Sequence, residues 1–437
     1  MSPPSISSPK PFNIAIVGGG ITGLTLAISL LKNNVPVVIY ESAAQFGEIG
    51  AGVGFGPNAV RAMEMISPDI KDGFERCRTH QWESKDHVWF TVRVGDHRKA
   101  NVDGNVKEDG QQHYKVGDAI FEVQFTADGS KGGVHRAHFL NQLVKLIPES
   151  VPQFGKRLQD VTKAHDSDDI ILHFADGTSA QHTAVLGCDG IKSRTRELLL
   201  GQETARAVFT GKYVYRGLIP MTEAIEMLGE EQAMNSQMLM GYDGHIITFP
   251  IERGKTMNVV AFRSCEKWSD PNWVVRTSRE EMLADYKDWG PTATAIISAM
   301  KKPDIWALFN HLPAPTYFGL RPRICLVGDA AHASTPHQGA GAGMCIEDCL
   351  ILGTLIGEAK DVGELDKAFR AYDEVRRPRT QMLVKTSREA AMVYEFQSKG
   401  DDLEAIERDM TSRMDWIWNV DLAAEISKAR SIFRQQV

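Results

Sequence analysis

At 437 residues the chain is long enough for two or three domains and a substantial core. Hydrophobic content of 43% and charged content of 24% are ordinary for a globular enzyme, and a net charge of −7 with no basic run argues against a nucleic-acid-binding surface. No run reaches the roughly 18 apolar residues of a membrane span, and the Pro/Ser-rich MSPPSISSPKP lacks the regions of a signal peptide, so a cytoplasmic location without membrane contact is expected. Cys77, Cys188, Cys265, Cys325, Cys345 and Cys349 form no C-x-x-C pair and read as reduced thiols, with no disulfide framework and no metal site.

In chain order, NIAIVGGGITGLTLAISLLKNNVPVVIYE comes first. Asn13 to Val17 is a short apolar run suited to a buried strand. Gly18, Gly20 and Gly23 follow in G-x-G-x-x-G spacing, with the helix expected to start where the glycines end, carrying Leu24, Ile28 and Leu31 on one face. Val35 to Tyr40 is the next strand, and Glu41 stands where a ribose-hydroxyl acceptor belongs. Strand, turn, helix and acid together predict a dinucleotide site, and the acid favours FAD or NAD over NADP.

Gly47, Gly50, Gly52, Gly54 and Gly56 predict an irregular loop beside the cofactor, before a helix opened by Pro57 and Asn58. Residues 79 to 133 read as part of a second, sheet-based region. A helix is expected over Val134 to Leu143 with Arg136 at its start; His135 and His138 are read as structural because no carboxylate or cysteine joins them in sequence. Ile170 to Phe174, the Asp176-Gly177 turn and HTAVLGCDG predict a hairpin feeding a strand that ends at Asp189. Beyond residue 204, KYVYRGLIPM, GHIITFPI and MNVVAFRS alternate as an antiparallel layer should. Arg216 shares a face with Val214 and Leu218, as a sheet-edge salt bridge or a ligand anchor. His245, Ile247 and Phe249 share a face suited to an apolar pocket. PRICLVGD is another buried strand; Gly339, Gly341 and Gly343 are expected just before a helix bearing Ile346, Leu350 and Leu355. From Glu364 the chain is helical and charged, with Trp416 and Trp418 placed to cap the core or mediate self-association.

GGGITG with Glu41, CDGIKSRTR and GDAAHASTPHQGAG, in that order, closely resemble the FAD-dependent aromatic hydroxylases, the para-hydroxybenzoate hydroxylase-like flavoprotein monooxygenases. The resemblance covers nearly the whole chain. It implies that Gly18, Gly20, Gly23 and Glu41 bind the ADP half of FAD, and that Asp189, Gly190, Ser193 and Arg196 serve FAD and reduced pyridine nucleotide. Asp329, within Gly328 to Pro336, would hold a ribityl or ribose hydroxyl, Ala342 would sit by the isoalloxazine ring, and Arg136 would contact FAD. Gly54 is expected beside the cofactor. Gly343, where many members have asparagine, points with IGAGVGFGPNAVR and VYRGLIPM to the salicylate hydroxylase-like branch and its fungal relatives. In relatives that dearomatise resorcinol-type polyketides, an arginine matching Arg216 and a tyrosine at position 249 engage the phenolate; here that position is Phe249, with Tyr114 as a candidate substitute.

The implied fold class is α/β: a Rossmann-type FAD-binding domain (residues 1–78, 134–203 and 319–364), an antiparallel β-sheet substrate domain (79–133 and 204–318) and C-terminal helices (365–437). The implied activity is a monooxygenase using FAD, NADH or NADPH as transient co-substrate, and O₂ on a small phenol, foremost salicylate converted to catechol with loss of CO₂. Hydroxylation or oxidative dearomatisation of a resorcinol-type polyketide in secondary metabolism is the alternative, and a non-catalytic flavin-binding regulatory protein the alternative of another class. Arg216 would hold the substrate anion, His337 would contact it or relay a proton, and Ile247 and Phe249 would line its pocket. A monomer or homodimer is expected.

Overall fold

A computed structural model describes residues 10–47, 51–96, 114–400 and 402–435. Its first layer is a six-stranded sheet in the order Phe318–Leu320, Arg323–Leu326, Ala184–Gly187, Ile14–Val17, Val37–Tyr40 and Pro152–Gln153. All pairs are parallel except that at Phe318–Leu320. Ile14, Ala15, Ile16, Ala184, Val185 and Leu186 are wholly buried, as strands covered by helices on both faces require.

The first helix spans Ile21–Lys32, so it begins before Gly23 and not after it. A Cβ on Gly23 would lie 2.0 Å from the Gly18 carbonyl oxygen. The bare glycine lets the helix settle directly on the turn, which is why the third glycine belongs to the helix. Gly18 takes φ +106°, a conformation open to glycine at little cost.

The second layer is an eight-stranded sheet ordered Val274–Arg276, Asp304–His311, Ala207–Pro220, Thr256–Ser264, Gly244–Ile251, Gln237–Gly241, Val88–Val94 and Ala119–Gln124. It is antiparallel apart from one parallel pair, Gln237–Gly241 with Val88–Val94, where the chain re-enters after passing through the dinucleotide-binding layer. Alternation divides its two faces. Tyr215, Ile219, Ile246, Met257, Val259 and Ala261 pack in one core with Met282 of Arg279–Ala284 and Ile296 of Pro291–Ala299. Val214, Arg216, Ile247, Phe249, Val260 and Phe262 face a cavity between the layers.

Two local expectations are corrected. The irregular glycine loop contains a strand, Gly52–Phe55, paired antiparallel with Gly132–His135. Gly52 presses so close to Phe249 that a Cβ would come within 2.6 Å of its ring, so the glycines admit a close-packed ribbon; Gly50 lies outside the described residues. Val134 and His135 therefore belong to a strand, and the helix runs Arg136–Val144.

The 33-residue helix Val362–Tyr394 packs along Gly341–Glu358 and closes the molecule, followed by Leu403–Ser412, Asp415–Trp418 and Leu422–Gln435. Trp418 is buried against Trp89 and Phe125, so it caps the cavity wall. No described helix is long and apolar enough to cross a membrane.

Candidate active site

The cavity between the layers measures about 1010 Å³ and runs from the glycine turn to the inner face of the large sheet. At one end it is lined by Gly18, Gly20, Glu41, Gly54, Arg136 and Asp189. Gly23, expected with them, lies inside the helix and packs on the turn without lining the cavity. One Glu41 oxygen accepts from the Gly19 N–H at 2.7 Å and the other from the Ala43 N–H at 2.7 Å. The carboxylate is thereby fixed beside the turn, positioned for a ribose hydroxyl.

The second motif ties the third in place. Asp189 accepts from the Ser193 and Thr195 hydroxyls, each at 2.6 Å, and from the Thr195 N–H at 3.0 Å. Burial raises its pKa, and those hydrogen bonds work against the rise. Ser193 also caps the helix Arg194–Leu200 by accepting from the Arg196 N–H. The buried Arg196 guanidinium donates to the carbonyls of Ala330, Ala331 and Leu312. Ser193 and Arg196 thus shape the loop that presents Asp329, which is exposed toward the cavity.

Below that loop, Asp348 accepts from the Gly328 N–H at 3.1 Å and from His332 at 2.5 Å, and pairs with Arg376 at 2.9 Å. Burial works to raise its pKa, but His332 and Arg376 outweigh it and hold the carboxyl low. Glu347 is buried beside it, paired with Arg376 and Arg379 and accepting from Asn58. The helix these acids belong to starts at Gly341, earlier than expected, so Gly341 and Gly343 lie inside its first turn. A Cβ on Gly343 would sit 3.1 Å from Ala59, which explains the small residue there. Gly339, Gly341 and Ala342 line the cavity, so the helix opens toward it with its partly positive end.

At the far end the wall is side chains. Val214 opposes Phe262, Arg216 opposes Val260 and Ile247 opposes Val260 across neighbouring strands, which sets them on one face. Arg216 is half-buried, with its guanidinium 5.2 Å above the Trp306 ring. Leu218, expected on the same face, lies beyond the cavity and is exposed. Phe249 and Ile247 line the cavity as expected, whereas Tyr114 does not. His337, in the short turn Pro336–Gln338, lines it with both ring nitrogens buried and unpartnered. His245 lies just behind, stacked on Phe262 and held by Glu395 at 3.0 Å.

Sequence reasoning missed Asp348, Glu395, Lys212 and Trp306, which come from distant segments and carry no motif. It also separated His135 and His138 from any carboxylate, but folding brings Glu252 to 4.0 Å and 3.8 Å from them. His138 is largely exposed, and contacts of that length are those of weak ion pairs.

The residues fit FAD. Glu41 and Asp329 offer carboxylates for ribose and ribityl hydroxyls, Arg136 offers a cation, and two helix starts with bare glycines offer N–H groups. Residues 150–387 match the FAD binding domain family, and residues 16–51 the NAD(P)-binding Rossmann-like domain family. The chain is 41% identical to 6-methylsalicylate 1-monooxygenase of Aspergillus terreus over 96% of this chain and 92% of that one. It is 36% identical to a salicylate hydroxylase of Pseudomonas putida, over 97% and 96% of the two chains. The solved structure of a salicylate hydroxylase substrate complex matches with a TM-score of 0.81 and 32% identity, covering 96% of this chain and 98% of that one. The chain is therefore a flavoprotein monooxygenase with FAD as its cofactor, and it belongs to the salicylate hydroxylase family. That settles the choice between enzyme and non-catalytic flavin binder in favour of the enzyme.

Proposed function

We propose that the chain hydroxylates a small ortho-carboxylated phenol, salicylate or an alkyl-substituted salicylate, at the carboxyl-bearing carbon, releasing CO₂ and a catechol. For salicylate the balance is substrate anion, NAD(P)H, O₂ and two protons giving catechol, CO₂, NAD(P)⁺ and water. The observation that carries this reading is Arg216: a guanidinium set over Trp306 in a wall of Val214, Val260, Ile247 and Phe262. A cation in an apolar wall suits a small aromatic acid, which presents one anionic edge and an apolar ring.

Glu41, Asp329, Arg136, Gly18, Gly20, Gly54, Asp189 and Ala342 would hold FAD, which, reduced by NADH or NADPH, supplies the activated oxygen. Arg216 binds the substrate carboxylate and fixes which ring carbon faces the cofactor. Val214, Ile247, Phe249, Val260 and Phe262 exclude water from the ring. His337, the buried imidazole at this end, accepts the phenolic proton, so that the ring carbon becomes nucleophilic. Phe249 weighs against dearomatisation of a resorcinol-type polyketide, since the tyrosine that would engage a phenolate is absent and its ring is wedged against Gly52 and Gly133. The sheet-bearing segments 79–133 and 204–318 are the substrate domain in this reading, segments 1–78, 134–203 and 319–364 the FAD-binding domain, and residues 365–437 a cap. The protein acts as a cytoplasmic monomer or homodimer.

The experiment is a screen of salicylate, 6-methylsalicylate, hydroxybenzoates and resorcinol aldehydes for stimulated NAD(P)H oxidation, with products identified by mass. Catechol and CO₂ in equal amounts from salicylate is the expected result. A hydroxylated product that retains the carboxylate would sink the reading.

A further inference from the structure

His337 stands between two cavities. Its ring and Thr335 line the substrate cavity on one side and a rear cavity of about 560 Å³ on the other, and they alone among the described residues line both. The rear cavity reaches the surface past Asp243, Glu266, Arg388 and Gln397, all exposed. The Thr335 hydroxyl and both His337 nitrogens are buried without a hydrogen-bond partner. Buried polar groups are ordinarily satisfied; these two face spaces from which water on one side and a substrate hydroxyl on the other can reach them.

Behind His337 lies a charged support. The His245 ring is 5.4 Å from that of His337, and nitrogens of both rings and an oxygen of Glu395 fall within 4.8 Å of one another. His245 bonds Glu395 through Nδ1, so that nitrogen is the donor and the unpartnered Nε2 the acceptor. The second Glu395 oxygen pairs with Lys212, whose ammonium also donates to Ser264 at 2.8 Å. Burial alone would raise the Glu395 pKa, but His245 and Lys212 hold it at about 2, so the group is a carboxylate. Burial drives the His337 pKa well below its ordinary value; His245 and Lys212 push it the same way and Glu395 opposes them. Asp243, Arg263, Glu266 and Arg388 complete the charges around the rear cavity.

We propose that His337 carries the substrate's hydroxyl proton from the substrate cavity into the rear cavity, with Glu395, acting through His245, as the positioning residue that supports the charged ring and Lys212 as its restraint. This rests on the phenol-hydroxylating reading above. The substrate O–H bond breaks and its electron pair stays on oxygen; an N–H bond forms on His337. The opposite ring nitrogen then releases its proton to water in the rear cavity, and the ring returns to neutral. No electrons change hands.

The probe is 4-nitrophenol mixed with the resting FAD-loaded enzyme, the appearance of bound nitrophenolate followed by stopped-flow visible absorbance. Glu395→Gln removes the support for the transiently charged ring and should slow that appearance by about tenfold, the equivalent of one pKa unit on the ring. Lys212→Met frees Glu395 to act and should speed it. Opposite changes in rate are not expected of structural damage, and flavin content and melting temperature check that both variants fold. In turnover, Glu395→Gln should slow hydroxylation at neutral pH by about tenfold, less than the roughly 10²–10⁴-fold of full acid–base assistance because the ring itself remains, and recover with a more acidic fluorinated phenol. Unchanged rates, or changes in the same direction, overturn the proposal. So does stoichiometric Zn²⁺ binding lost in Glu395→Gln, which would make the cluster a metal site. If wild-type NAD(P)H oxidation is stimulated by no phenol, the functional reading fails while the nitrophenolate rates still decide the relay.

Discussion

At the dinucleotide end the cavity wall is largely backbone: the Gly18–Thr22 turn, the Gly52–Phe55 ribbon and the Glu41 carboxylate that the turn itself orients. At the substrate end the wall is side chains from four strands of the large sheet and from the Pro336–Gln338 turn, spread over more than a hundred residues of sequence. A site made of backbone needs bare positions at fixed spacing; a site made of side chains needs only that each strand deliver the right residue to one face. The first kind tolerates few substitutions and binds one cofactor. The second can be retuned one residue at a time.

The sharpest way to break this contrast is to put a side chain where the backbone must be bare. The Cβ of Gly23→Ala would meet the Gly18 carbonyl oxygen at 2.0 Å, a contact that only movement of the helix can relieve. Overpacking of this kind costs about 1–3 kcal/mol or more, and the shift displaces the N–H groups facing the phosphates. The purified protein should come without yellow colour. Retention of stoichiometric flavin, measured by absorbance after denaturation, would show that the turn has more freedom than its geometry implies.

The opposite result is expected of Arg216→Ala at the other end. Flavin content and melting temperature should stay near wild type, because Arg216 lies half-buried on the large sheet with its guanidinium over the Trp306 ring. Losing a charge partner for a desolvated carboxylate costs about 2–5 kcal/mol, so kcat/KM for salicylate should fall roughly hundredfold or more. Wild-type rates of salicylate-dependent NAD(P)H oxidation would remove Arg216 from the substrate site.

The same contrast explains what could be read before folding. Gly18, Gly20, Glu41, Asp189 and Asp329 sit at strand ends inside short motifs, so spacing alone located them. Arg216, Ile247 and Phe249 were recognisable as sharing faces because strands alternate with period two, but which face met the cavity depended on strand order. His245 shows the limit: it shares the pocket face with Ile247 but lies one step behind it, against Glu395 at the end of a helix 150 residues later. Buried ion networks such as Asp348–Arg376–Glu347 are likewise silent in sequence, since a charge in an amphipathic helix reads as solvated until its neighbours are known.

Phe249→Tyr tests the smallest step by which the substrate end might change its preference. The ring lies against Gly52 and Asn258, and the Asn258 Nδ2 is buried without a partner. A phenolic oxygen added at the ring's tip would find that donor close by, so the variant should fold and keep its flavin. A neutral hydrogen bond is worth about 0.5–1.5 kcal/mol, so the ratio of kcat/KM for a resorcinol aldehyde to that for salicylate should rise no more than about tenfold. A rise confined to KM would mean that the hydroxyl binds substrate without touching the chemistry. A far larger gain in dearomatised product, identified by mass, would show that the wall around Arg216 already suits the resorcinol-type substrate and that one oxygen atom separates the two activities.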